Sequence, residues 1–204
     1  MKKKSSLIRD VLIITLITLV SGALLGLVYN VTKDPIERQR IKKLNEARMS
    51  VFSDAADFTG IYEKASDTGA ELPSYSHEED GTVINTVDKA LDANGAFLGY
   101  VIDVTNSNGY GGDIEIMTGI RFKDGKPVIN GISFLSISET AGMGMKAKNA
   151  DFMGQFNGKE ADGGLTLADV DAISGATITT KAVTWAMDAA VKTAAGLYEK
   201  EGVA

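Results

Sequence analysis

The longest apolar run in the chain is Val11 to Val31, VLIITLITLVSGALLGLVYNV, 21 positions without a charged residue. About 20 such residues cross the hydrocarbon core of a bilayer as a helix, so a transmembrane helix is predicted over 11–31. Thr15, Thr18 and Ser21 do not forbid insertion, because their hydroxyls can return to helix carbonyls. Tyr29 falls near the far end, where an interfacial aromatic is comfortable. A cleaved signal peptide has a shorter apolar core of about 7–15 residues and ends at a small-x-small site. This run is longer and no Ala-x-Ala follows it, so a retained anchor is expected.

Beyond the anchor the pattern changes. Asp34 to about Phe58 reads as a juxtamembrane helix, with Pro35 suited to a first turn and Ile41, Leu44, Val51 and Phe52 on one face. Ser66 to Gly81 is polar and turn-rich, and is predicted as loop. Thr82 to Lys89 alternates as a strand, Asp92-Ala-Asn-Gly95 signals a turn, and Ala96 to Val104 returns as its hairpin partner. Asp113 to Phe122 is a further strand. Lys123-Asp-Gly-Lys-Pro127 then turns the chain into Val128 to Ile137. Short turns between strands imply an antiparallel sheet. At the end of the chain Val183, Met187, Ala190, Val191, Ala194, Leu197 and Tyr198 form one apolar helical stripe. The expected class is α+β: a single N-terminal transmembrane helix, then an antiparallel-sheet domain with a long C-terminal helix. No internal repeat is visible.

Charge orients this arrangement. Of 21 basic and 27 acidic residues, only Lys2, Lys3, Lys4, Arg9 and Asp10 precede Lys33. The positive-inside rule therefore places residues 1–10 in the cytoplasm as a tail. After the span 11–31 and the juxtamembrane helix 32–58, residues 59–204 are expected as an extracytoplasmic domain of a cell inner or cytoplasmic membrane protein. That domain is acidic and lacks a Lys/Arg patch, which argues against a nucleic-acid partner. At 44% apolar and 24% charged residues the chain has the makings of a real core.

Absent residues narrow the chemistry. With no cysteine, disulfides, iron–sulfur ligation, thiol catalysis and lipoprotein processing are excluded. The one histidine, His77, stands in the polar run Ser76-His77-Glu78-Glu79-Asp80 and is expected to be solvated. No metal site is predicted, and no catalytic residue of a Ser-His-Asp kind. Redox work, if any, would need a bound organic cofactor.

Three glycine-containing loops punctuate the strands: Asn108-Gly-Tyr-Gly-Gly112, Ser138-Glu-Thr-Ala-Gly-Met-Gly144 and Asp171-Ala-Ile-Ser-Gly-Ala-Thr177. Singly, each can be a plain turn. The third runs directly into the terminal helix. A helix N-terminus carries unpaired N–H donors and the positive end of a dipole, which suits a phosphate. Small residues at 174–176 allow a close approach of the backbone, and Thr177 offers a hydroxyl there. The residues alone leave open the alternative that Ser174, Thr177, Thr179 or Thr180 caps the helix.

The third loop resembles the Asp-x-x-Ser/Thr-Gly-Ala-Thr signature of FMN-binding domains flavinylated on threonine. Such domains occur in the G subunit of the Rnf electron-transport complex and in the C subunit of the sodium-pumping NADH:quinone reductase. Gly109-Tyr-Gly-Gly112 with Asp113-Ile114 resembles that family's Gly-Tyr-x-Gly-x-Ile, and the second loop resembles its Glu-Thr-Pro-Gly-Leu-Gly. Ala141 replaces the usual proline and Met143 the usual leucine, which loosens the loop while keeping apolar surface. The resemblance spans nearly the whole chain, and the length favours the Rnf protein of the two.

The resemblance implies FMN esterified through its phosphate to Thr177 by a flavin transferase. It implies Ser174, Gly175 and Ala176 around the phosphate, and Tyr110, Gly111, Glu139, Thr140, Gly142, Met143 and Gly144 around the flavin. The implied function is an electron relay inside an Rnf-type ferredoxin:NAD⁺ oxidoreductase coupled to Na⁺ or H⁺ translocation. The chain would be a redox subunit among other membrane subunits rather than an enzyme alone. The alternatives are a C-type subunit of the sodium pump, another flavinylated extracytoplasmic carrier, or an anchored module binding a ligand noncovalently.

Overall fold

A computed structural model describes residues 2–64, 68–69, 72 and 81–202. His77 and most of the loop expected over Ser66–Gly81 lie outside the described residues. The chain divides into two compact units, Met1–Lys43 and Leu44–Ala204. The first is helical throughout its described length, as part of α1 (Lys2–Val51). Its apolar window is exposed and is long and apolar enough to cross a membrane. Inside it the Thr15 and Thr18 hydroxyls donate to the carbonyls of Val11 and Thr15, both at 2.9 Å. This is the local repair expected from the sequence, and it removes the cost of a bare hydroxyl in hydrocarbon.

The second unit begins with the last turns of α1 and continues as β1 (Asp57–Glu63), β2 (Thr68–Gly69), β3 (Thr82–Leu91), β4 (Phe97–Gly109), β5 (Gly112–Lys123) and β6 (Lys126–Ser136). They form one antiparallel sheet in the order β2-β1-β3-β4-β5-β6. After the sheet come α2 (Ala150–Gly154) and the long α3 (Thr177–Glu201). The four longer strands fall where alternation at 82–89 and the turn signals after it placed them. At the β3–β4 turn Asp92 Oδ1 accepts the amides of Asn94 and Ala96, both at 2.8 Å. At the β5–β6 turn Asp124 and Gly125 both take positive φ, the Asp-Gly signature of a tight hairpin.

The juxtamembrane helix differs from expectation. It ends at Val51 rather than near Phe58, and the chain from Asp57 joins the sheet as β1. The reason is the seat of Phe52. This side chain is fully buried with Ala47, Val51, Ala55, Val101 and Met117 on one face of the sheet. Gly119 makes the close approach possible: a Cβ there would meet the Phe52 ring and the Val51 carbonyl oxygen, both at 2.8 Å. Arg121 lies over the Phe52 ring, 5.0 Å from its centroid, and pairs with Asp54. With Phe52 pinned, the chain turns and the Ala56 amide bonds the Leu91 carbonyl at 2.8 Å, starting the β1–β3 ladder. Periodicity over 41–52 carries no sign of that stop.

The other face of the sheet carries α3. Val183, Met187, Ala190, Val191, Ala194 and Leu197, all in the anticipated stripe, are buried against Ile102, Val104, Ile114 and Ile120. Tyr198 is half-buried and stacks on Phe122 with ring centroids 3.9 Å apart. Burying such a stripe at roughly 25 cal/mol per Å² of apolar surface fixes α3 on the sheet and hence fixes where its N-terminus points.

Candidate functional site

Antiparallel pairing brings three loops to one end of the sheet. The tip of the β4–β5 hairpin is closed by Gly109 opposite Gly112, so Tyr110 and Gly111 form the turn itself. The second loop leaves the end of β6, and the third enters α3. Between them lies a cavity of about 490 Å³ lined by Tyr110, Glu139, Thr140, Met143, Gly144, Gly175, Ala176, Thr177, Ile178 and Thr179. Eight of these ten residues are among those the resemblance assigned. Gly175, with φ of 78°, turns the chain and lines the cavity as well.

The third loop is held by its own polar contacts. Gln155, just after α2, takes the Asp171 amide on its Oε1 at 2.7 Å. The Thr180 hydroxyl accepts the Ile173 amide at 3.1 Å and donates to the Ala176 carbonyl at 3.0 Å. Ala176 is the N-cap of α3 and makes no side-chain capping bond. Thr180 is therefore tied to the loop backbone, and none of the threonines caps the helix in the usual sense. The amides of Thr177, Ile178 and Thr179 belong to the first helical turn, whose N–H groups have no partner within the helix. Thr177 is exposed at the first helical position and faces the cavity. A phosphate in that place would meet these donors and the positive end of the helix dipole.

The second loop forms the opposite wall. The Thr140 carbonyl accepts the amides of Met143 at 3.1 Å and Met145 at 3.2 Å. Gly142, with φ of 76°, supplies the positive φ that this turn requires at its third position. Gly142 shapes the loop and does not line the cavity. Glu139 is buried, with Oε1 accepting the Gly111 amide at 3.3 Å. Gly111 thus serves the site through its backbone, packed so closely on the Ser138 carbonyl that a Cβ would collide with it. Ser174 does not line this cavity and borders a more open depression with Lys146, Phe152 and Gln155.

Two residues of the wall, Ile178 and Thr179, do not stand out in the sequence as cavity residues. Thr179 reads there only as a candidate helix cap. The signal available was adjacency: a helix that opens on a cavity presents its first turn, not one residue.

The cavity has a polar floor and an apolar rim. Tyr110, Met143 and Ile178 are 71%, 46% and 50% exposed. Among the described residues of the second unit, only Met49 is another large apolar side chain this exposed, with Leu167 slightly less so. An uncapped helix start for an anion, a volume within the ordinary ligand range of about 300–1,000 Å³ and an apolar rim for a flat ring together fit a flavin nucleotide.

Known proteins agree. Residues 109–192, which contain the second and third loops and all of the first but Asn108, match the FMN-binding domain, and residues 1–51 match the RnfG N-terminal region. The chain is 34% identical over 187 residues to the G subunit of the Na(+)-translocating ferredoxin:NAD(+) oxidoreductase complex of Acetobacterium woodii, covering 85% of this chain and 84% of that one. It is 31% identical over 194 residues to the G subunit of the ion-translocating oxidoreductase complex of Methanosarcina acetivorans, covering 94% and 96%. The crystal structure of Shewanella oneidensis NqrC shares the fold, with a TM-score of 0.56 at 18% identity over 82% of this chain and 100% of that one. Membrane-anchored through α1 and carrying an FMN-binding domain, the chain belongs to the RnfG family, the G subunits of ion-translocating oxidoreductase complexes.

Proposed function

We propose that this protein relays electrons through an FMN esterified to Thr177, as a subunit of an Rnf-type ferredoxin:NAD⁺ oxidoreductase that moves Na⁺ or H⁺. The observation that carries the reading is the start of α3: an exposed threonine hydroxyl beside free first-turn amides, opening on an apolar-rimmed cavity. The signature in residues 171–177 and the naming of the relatives as G subunits support it. In attachment, a flavin transferase would use FAD: the Thr177 oxygen bonds the FMN phosphorus, the pyrophosphate bond breaks, AMP leaves and the hydroxyl proton goes to base. The bound FMN supplies reversible electron uptake. The protein's own share is positional. First-turn amides hold the phosphate, Met143 and Tyr110 offer apolar surface to the ring, and Glu139 sets negative charge near it.

An ester also keeps the cofactor from diffusing away at a membrane surface. The charge bias around α1 supports a cytoplasmic N-terminus and an extracytoplasmic domain. Ferredoxin and NAD⁺ would then bind to other subunits of the complex. Intact-mass measurement of protein made with the transferase tests the attachment. One FMN ester is expected in wild type and in Thr179→Ala, and none in Thr177→Ala. Covalent flavin surviving in Thr177→Ala would sink the assignment, and flavin lost on denaturing wild type would leave a noncovalent module.

A further inference from the structure

Thr179 is 1% exposed, and its side chain forms part of the cavity wall. Its neighbours Thr180 and Thr184 return their hydroxyls to helix carbonyls, at 3.0 and 2.8 Å. The Thr179 hydroxyl makes no such bond, nor any other among the described residues. Among the described residues the enclosed side-chain oxygen without a partner is Thr86 Oγ1; the Thr179 hydroxyl is instead reached from the cavity, where a ligand can take the hydrogen bond that no protein group supplies.

What lies beside it narrows the ligand group. The position a Cβ would take on Gly144 is 2.6 Å from Thr179 Oγ1 and 2.7 Å from Glu139 Oε2. The absence of that Cβ lets a donor and an acceptor pack against Gly144 side by side in the cavity wall. Glu139 Oε1 takes the Gly111 amide, and that leaves Oε2 beside the Thr179 hydroxyl. A phosphate needs donors only and would be repelled by the carboxylate. The benzenoid end of a flavin needs neither. The pyrimidine end presents a carbonyl beside an N–H, the complement of a hydroxyl beside a carboxylate.

We infer that Thr179 and Glu139 together read the imide edge of the FMN ring, the hydroxyl donating to a ring carbonyl and the carboxylate accepting from the ring N–H. The inference rests on the cavity being the FMN site, and it makes Thr179 a flavin contact independent of attachment. The apolar benzenoid edge is left to the rim of Tyr110, Met143 and Ile178. A donor to a ring carbonyl favours the electron-rich reduced ring, so its loss makes reduction harder.

The test uses the full-length chain, flavinylated by the transferase and purified in detergent. Thr179→Val is expected to keep one FMN per chain by mass, to shift the flavin absorption and to move the midpoint potential to a more negative value. Thr179→Ser should restore both. Wild type carrying ¹⁵N-labelled flavin should show the ring N–H displaced downfield of free FMN and protected from exchange. A wild-type N–H at the free-FMN position, or a Thr179→Val midpoint and spectrum equal to wild type, would overturn the inference while leaving Thr177 attachment intact. Loss of the ester in wild type bears instead on the reading above, and the same spectra with noncovalent FMN would still decide this one.

Discussion

The Thr180 hydroxyl accepts the amide of Ile173 at 3.1 Å, tying the loop that carries Thr177 to the helix that Thr177 begins. Both residues are buried, so this bond is shielded from water. Thr180→Val keeps the shape and removes the acceptor, stranding the Ile173 amide. A cost of about 1–3 kcal/mol in unfolding free energy is expected, read as a lower urea midpoint with unchanged slope. Mass should still show one flavin, because Thr177 and its first-turn amides are untouched. Loss of the ester in a folded Thr180→Val would assign Thr180 a direct part in attachment.

What could be read from the sequence follows the range of the interactions. The stripe from Val183 to Leu197 is set within one helix, and the hairpin at Asp92–Gly95 within one turn, so both were legible. The three loops were legible as motifs because each is contiguous. The seat of Phe52 was not: it depends on Gly119, 67 positions away, being flat enough to receive a ring. Nothing in 41–52 announces a partner so distant, and the periodicity runs on past the helix's true end. β1 escaped for the same reason, since its ladder is with β3 across the segment between them. At the site, Thr179 resembles a cap in sequence, and only its burial beside Gly144 and Glu139 separates the two roles.

Arg48 and Asp88 tie the last turns of α1 to β3. Arg48 Nη2 and Nε lie 2.7 and 2.9 Å from Asp88 Oδ2. Burial pushes the Asp88 carboxyl above its ordinary range, and Arg48 partly offsets the push. The folded state therefore holds this proton more tightly than the unfolded chain. Asp88's contribution is fully present below about pH 3.8, the unfolded value, and declines as pH rises through the raised folded value. Arg48→Met removes the offset and strands the charge, at a cost of about 3 kcal/mol at pH 7. The deficit should shrink on acidification toward pH 4 as Asp88 protonates. A deficit in urea midpoint that is equal at both pH values would show that the ion pair is not its cause.

Ala141 occupies the second position of the turn whose third residue, Gly142, has φ of 76°. Proline is favoured there in such turns, and the backbone bonds of this loop come from Met143 and Met145 rather than from Ala141. Ala141→Pro is expected to add about 0.4–1 kcal/mol by restricting the unfolded chain. The urea midpoint should rise and the flavin spectrum should not change. A lower midpoint would mean that the backbone at 141 cannot accept the ring.

Glu139 offers the sharpest electrical test of the site. Its carboxylate is buried, takes the Gly111 amide on one oxygen and is one wall of the cavity that also holds Thr177 and Met143. A negative group fixed beside a flavin disfavours the electron-rich reduced ring, and low exposure limits the screening that would mute a surface charge. Glu139→Gln keeps the length and an acceptor oxygen while removing the charge. The flavin midpoint should therefore become more positive, with one FMN still attached by mass, in redox titration of the flavinylated full-length chain. Raising the salt concentration should move the wild-type midpoint only slightly, since the carboxylate is enclosed. The change is opposite in sign to that expected for Thr179→Val, so general loosening of the pocket cannot produce both. A Glu139→Gln midpoint equal to wild type, with an unaltered spectrum in Met143→Ala, would remove the second loop from the flavin site.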